Sequence, residues 1–217
     1  MPISGTIEVM SSGAGLAMSA DGRLAVVKQS GPGAGATRLR HEAEVLRRAA
    51  HPGVVELIDE RSGDDGTTLT TVFVGGGTLR EHMGVRCDLR LAARVAAVVA
   101  ATLADLHDRG IAHGRLAADH VLVGAGGQAV VCGWAEAILA TGAGAGAATA
   151  NADVAAMGVL LRELAEGRTT TEADALRRVG DRALATDPAA RPSMRSLVAA
   201  LRALVPEGIG SERPGPV

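Results

Sequence analysis

An α+β fold with two lobes is what the sequence predicts, a small β-rich half with one helix followed by a mainly helical half. Short runs rich in β-branched residues dominate residues 1–74, whereas apolar residues recur at spacings of three and four from residue 89 onward. A third observation concerns the core: with no Tyr, one Phe and one Trp, it must be built from Ala, Val and Leu.

Taken in order, "TIEVM" and "RLAVVK" read as strands of an antiparallel sheet, with "ADG" at 20–22 as the turn. "GPGAGA", residues 31–36, breaks the strand. A helix follows from Thr37 as N-cap, with Leu39, Ala43, Leu46 and Ala50 on one face, and "HPG" at 51–53 stops it. "VVELID" and "TLTTVFV" read as two more strands around the turn-rich "RSGDDG". The small lobe therefore spans residues 1–74, and the glycines of 75–79 form a hinge. The helical lobe, residues 80–208, carries helical spacing over 89–107, 153–166, 172–185 and 193–204, with "VLV" and "AVVC" as a hairpin set among the helices. "TGAGAGAATANA", residues 141–152, is poor in bulky apolar groups and reads as a loose loop, and residues 209–217 as a disordered tail.

Composition narrows the function classes. At 217 residues the chain can bury a sizeable core. Its 22 basic and 24 acidic residues nearly cancel, which argues against nucleic-acid or membrane-surface binding and favours a protein or small-molecule partner. The apolar run "VAAVVAATLA", residues 95–104, is about half of what spans a bilayer and reads as a buried helix. Two cysteines, Cys87 and Cys132, are too few for a disulfide framework, and the start lacks a secretory pattern, so a cytoplasmic location is expected.

The order of these pieces resembles the eukaryotic-type (Ser/Thr) protein kinase family, as a degenerate bacterial member, over about residues 6–204. "LAVVKQ" is similar to the strand that carries the ATP-positioning Lys, here Lys28. "HEAEVLRRAAHPGVVELID" is similar to the αC helix and the strand after it, and "VFVGGGTLREHM" to the hinge. "LADLHDRGIAHGRLAADHVLV" resembles the approach to the catalytic loop, "DVAAMGVLLRELAEG" the helix anchoring the lower lobe, and "ATDPAARPS" the closing motif. The resemblance implies a bilobal protein kinase-like fold.

Each part of that machinery has a job. Lys28 would hold phosphates and be fixed by an acid on the αC helix; of Glu42 and Glu44, only Glu42 flanks the Leu39/Ala43/Leu46 stripe and reaches inward. The glycine-rich loop is best matched by "GAGLAM", with Gly13 and Gly15 kept and Met18 in the third place. The catalytic loop departs from HRDLxxxxN: His113 is kept, Gly114 follows, Arg115 replaces the proton-accepting Asp, and His120 replaces the metal-binding Asn. Arg115 stays protonated and cannot serve as a base. The DFG position falls on Gly133, Trp134 and Ala135, or one earlier on Cys132, without a carboxylate in either register. Mg²⁺, which needs oxygen ligands, is not expected, and the His113/His120 pair reads as structural and not as a zinc site.

Only 17 residues separate Ala135 from Asp153, too few for an ordinary activation segment. The resemblance gives Asp153 the role of bracing the catalytic loop, gives Trp134 that of a plug between the lobes, and leaves Arg191 without its usual acidic mate. What it implies overall is a pseudokinase: a regulatory or scaffolding module that binds another protein, with metal-independent ATP binding left open and no cofactor required. The alternative is a residual phosphotransferase, of protein kinase type or of the aminoglycoside phosphotransferase type, whose HGDxxxxN loop "HGRLAADH" resembles. Asp119 is the only acid near that loop, one residue away from the metal position.

Overall fold

In the computed structural model, residues 8–9, 14–19, 21–84, 88–124, 126–140 and 145–204 are described. Strands β1 (Glu8–Val9), β2 (Gly15–Met18), β3 (Leu24–Ser30), β4 (Leu57–Gly63) and β5 (Gly66–Val72) form one antiparallel sheet in the order β1-β2-β3-β5-β4. Alternation along β3 buries Ala25 and Val27 and leaves Val26 and Lys28 half-buried on the other face. Helix α1 (Ala34–Arg48) crosses the sheet and buries Ala36, Glu42, Ala43, Val45 and Leu46.

The second lobe opens with the short α2 (Leu79–Gly84) and the 20-residue α3 (Leu89–Asp108). Asp88 caps α3 by accepting the amide of Arg90 at 2.9 Å. Twelve residues of α3 are buried, including Val95, Ala96, Val99, Ala100 and Leu103 of the apolar run. α4 (Ala145–Leu164), α5 (Thr171–Ala183) and α6 (Met194–Leu204) complete the lobe, with α3 packed against α6 and α4 against α5. Two short pairs lie between α3 and α4: β6 (Ile111–Ala112) with β9 (Ile138–Leu139), and β7 (Val121–Val123) with β8 (Ala129–Val131). No described helix is long and apolar enough to cross a membrane. The chain is thus an α+β protein with a β-rich N-terminal part and a helical C-terminal part, the kinase-like arrangement.

Several expected boundaries move, each for a local reason. Helix α1 begins at Ala34 after Gly33, not after Thr37, whose hydroxyl instead bonds back to the Gly33 carbonyl at 3.3 Å inside the first turn. "RSGDDG" is mostly strand: β4 and β5 run to Gly63 and Gly66, leaving only Asp64 and Asp65 as the turn. "VVEL" is not strand until Leu57. "GAGLAM" contributes strand β2, paired with β3 from Gly15↔Val27 to Met18↔Leu24. The largest correction concerns residues 145–152, expected as a loose loop but helical as the first two turns of α4. Small side chains carry little apolar surface, yet Ala has the highest helix propensity, and the packed turns from Asp153 onward supply the nucleus it extends. The tail, 209–217, lies outside the described residues.

Candidate functional site

A cleft of about 680 Å³ opens between the sheet and the helical lobe. Ala14, Val26 and Val72 line it from the side of the sheet, Val74 from the connection between the lobes, and Leu122, His120 and Gly133 from below. A second groove of about 580 Å³ lies between the end of α1 and β4 and holds none of the predicted site residues.

Lys28 enters the cleft from β3, opposite Leu69 of β5. It is the chain's only lysine, a signal in the sequence that composition alone would have shown. Its ammonium meets both oxygens of Glu42, at 2.8 and 3.0 Å. Glu42 is 2% exposed, and its Oε1 also accepts the amide of Trp134 at 3.3 Å. Glu44 faces away and pairs with Arg48 on the outside of the helix. The geometry therefore brings Lys28 and Glu42 together and leaves Glu44 out.

The loop below the cleft is held from its buried side. Asp153, 1% exposed, accepts the amides of His113 at 2.8 Å and Gly114 at 2.9 Å, and a hydrogen bond from His107 Nε2 at 2.8 Å. His113 is buried, donates from Nε2 to the Cys132 carbonyl at 2.9 Å and accepts the Arg115 amide on Nδ1 at 3.2 Å. Burial holds its pKa below the ordinary histidine value, so the ring is neutral. Gly114 has φ 75°, and a Cβ there would collide with the Glu136 carbonyl oxygen. Only glycine lets the loop pass this close to residues 134–137.

On its exposed side the chemistry differs. Arg115 is exposed, is not among the residues lining the cleft, and its guanidinium has no acceptor among the described residues. His120 donates from Nδ1 to the Arg115 carbonyl at 2.8 Å, and its ring lies 5.5 Å from that of His113. Gly133 is left-handed at φ 78°, and a Cβ on it would stand 2.5 Å from His120 Cδ2 and 2.8 Å from Nε2. The imidazole thus fills the space a side chain at 133 would need. Mg²⁺, which takes several oxygen ligands, does not fit these two positions. Among the described residues no group of three or more His, Cys, Asp or Glu is placed to hold a metal ion.

Trp134 is fully buried, donates from Nε1 to the Val131 carbonyl at 3.1 Å and packs its ring 4.6 Å from His113. Cys132 lines the cleft, and burial pushes its thiol up to about 11, so it is no nucleophile at neutral pH. Arg191 acquires a neutral mate: it donates to Asn151 Oδ1 at 2.9 Å and the Ala185 carbonyl at 3.0 Å. Asn151 lies in α4. Gly15 starts β2 and Gly13 lies outside the described residues.

Sequence reasoning missed three contributors. Glu81 lines the cleft and exchanges hydrogen bonds with Thr78, its Oε2 accepting the Thr78 amide at 2.8 Å. The T-x-x-E spacing of a capping box was the available signal. His41 donates from Nε2 to the Ala137 carbonyl at 2.7 Å, and Arg38 pairs with Glu136. With Glu42 on Trp134, these contacts tie one face of α1 to residues 134–137; no local pattern announces them.

The model of a family described as protein tyrosine and serine/threonine kinase matches residues 13–139, more than half of the chain. A search of curated proteins returned no match.

Proposed function

The chain belongs to the protein tyrosine and serine/threonine kinase family, and we propose that it is a non-catalytic member that works by binding another protein. The observation that carries this reading is the packing of His120 against Gly133, which occupies with an imidazole the region where metal-binding oxygens would be required. Arg115 supports it, because a permanently protonated group stands where a proton must be accepted. Phosphoryl transfer depends on positioning and charge neutralisation, so losing base and metal ligands together removes most of its driving elements.

Rigidity is what such a protein would offer instead. α1 is tied to residues 134–137 through Glu42, His41 and Arg38, and the loop at 113–120 to α4 through Asp153, and a preformed surface loses little entropy on binding. A second reading, residual phosphotransfer, is favoured by the intact Lys28–Glu42 pair. Incubation with γ-labelled ATP and Mg²⁺ or Mn²⁺, using myelin basic protein, casein and the chain itself as acceptors, separates the two. No label above that of Lys28→Ala is expected; label that vanishes in Lys28→Ala overturns the non-catalytic reading. Affinity purification of the full chain, with Arg115→Glu as comparison, tests for a stably bound partner.

A further inference from the structure

A separate pocket of about 390 Å³ lies in the helical part of the chain, between α3, α4, α6 and the segment that joins α5 to α6. It shares no lining residue with the cleft between the lobes or with the groove beside α1. Arg191 lines it, half-buried, and all of its acceptors are neutral. Its Nε donates to the Ala185 carbonyl at 3.0 Å, and its Nη1 to Asn151 Oδ1 at 2.9 Å and the Asn151 carbonyl at 3.4 Å. Its Nη2 has no acceptor, and no carboxylate pairs with the guanidinium, among the described residues.

The other charges at this pocket are already matched. Arg195 pairs with Asp105 at 3.2 Å and with Asp108, which is the acid on the pocket wall. His107 also lines it, with its Nε2 on Asp153 at 2.8 Å. One positive charge, that of Arg191, is left without a counter-charge. Half-buried, it attracts an anion more strongly than it would in bulk water, and a carboxylate oxygen on Nη2 would form a charge-assisted hydrogen bond, roughly twice as strong as a neutral one. A single uncompensated cation balances a single negative charge, which favours a carboxylate over a phosphate. Much of the remaining wall is apolar, from Val154, Pro188, Pro192 and Met194. The volume is near the lower end of the roughly 300–1,000 Å³ typical of ligand pockets, which suits an acid of a few carbons.

We propose that this pocket binds a small organic monocarboxylate, held by the Arg191 guanidinium with its apolar body against Val154, Pro188, Pro192 and Met194. The site stands apart from the cleft, so it holds whether or not the chain transfers phosphate.

NMR titration of the isotopically labelled full chain with butyrate, at neutral pH and constant ionic strength, is the test, with butyramide, the uncharged isostere, and inorganic phosphate as comparisons. Butyrate is expected to shift the amides of Asn151, Val154, Arg191 and Met194 and to saturate at about millimolar concentration. Butyramide and phosphate are expected to bind about tenfold more weakly or not at all. Shifts that do not saturate, shifts centred on the cleft, or either comparison compound binding as tightly as butyrate overturn the proposal. Asn151→Asp sets a fixed carboxylate on Arg191 Nη1, where the Asn151 oxygen stands at 2.9 Å, and keeps every arginine in the chain. It is expected to weaken butyrate binding about tenfold, as is Arg191→Gln once the buried Trp134 fluorescence shows that variant folded. Unchanged butyrate affinity in Asn151→Asp removes the Arg191 charge as the determinant and overturns the site.

Discussion

The loop at residues 111–123 has two sides, and they differ in what holds them. Its buried side is fixed by Asp153, whose carboxylate satisfies two backbone amides and His107. Its exposed side carries Arg115, outside the cleft lining, and His120, which lines the cleft; neither supplies a carboxylate, and the Arg115 guanidinium has no acceptor among the described residues. The shape of the loop comes from the first set and its chemistry from the second. A chain can therefore exchange the second set while the first keeps the loop in place.

The comparison breaks most readily at Asp153. Asp153→Ala leaves the buried His113 amide and the part-buried Gly114 amide without an acceptor, and the expected loss is about 3 kcal/mol, measured as a fall in the urea midpoint. The sole Trp, fully buried, reports the transition by its fluorescence.

The next effect comes from pH. Burial raises Cys132 to about 11, whereas the unfolded thiol titrates near 9, so the unfolded chain sheds its proton first. Between those values the unfolded state binds fewer protons than the native state, and stability falls as pH rises, by about 1.4 kcal/mol per unit and about 3 kcal/mol across the window. With no Tyr and a single Lys, few other groups titrate there. Urea titrations at pH 9, 10 and 11 should show this slope, flattened in Cys132→Ala.

Glu42→Gln weakens the pairing with Lys28 while keeping an acceptor for the Trp134 amide. Lys28 is about one-third exposed and can reach water, so the expected cost is about 1 to 2 kcal/mol. The smallest change belongs to the exposed side: Arg115→Ala should alter stability by no more than about 0.5 kcal/mol, read from the same urea midpoints. A loss as large as that of Asp153→Ala would erase the distinction between the two sides.

Much of the frame was legible from short-range pattern. The α3 run, the α1 stripe that selected Glu42 over Glu44, and the "VLV"–"AVVC" hairpin each depend on residues a few positions apart. Residues 145–152 were misread because the absence of bulky groups says little about a helix stabilised from its packed end. The tie between α1 and residues 134–137 was illegible, since Arg38, His41 and Glu42 meet Glu136, Ala137 and Trp134 across more than 90 positions of chain.

By itself the sequence determined the element types, the order of the lobes and the residues standing at each chemical position, because periodicity and residue identity are local properties. Only the tertiary structure decided that His120 fills the space beside Gly133, that Arg115 lies outside the cleft lining, and that Arg191 finds Asn151. Those outcomes depend on which atoms from distant segments occupy the same few ångströms, and that is fixed only when the chain packs.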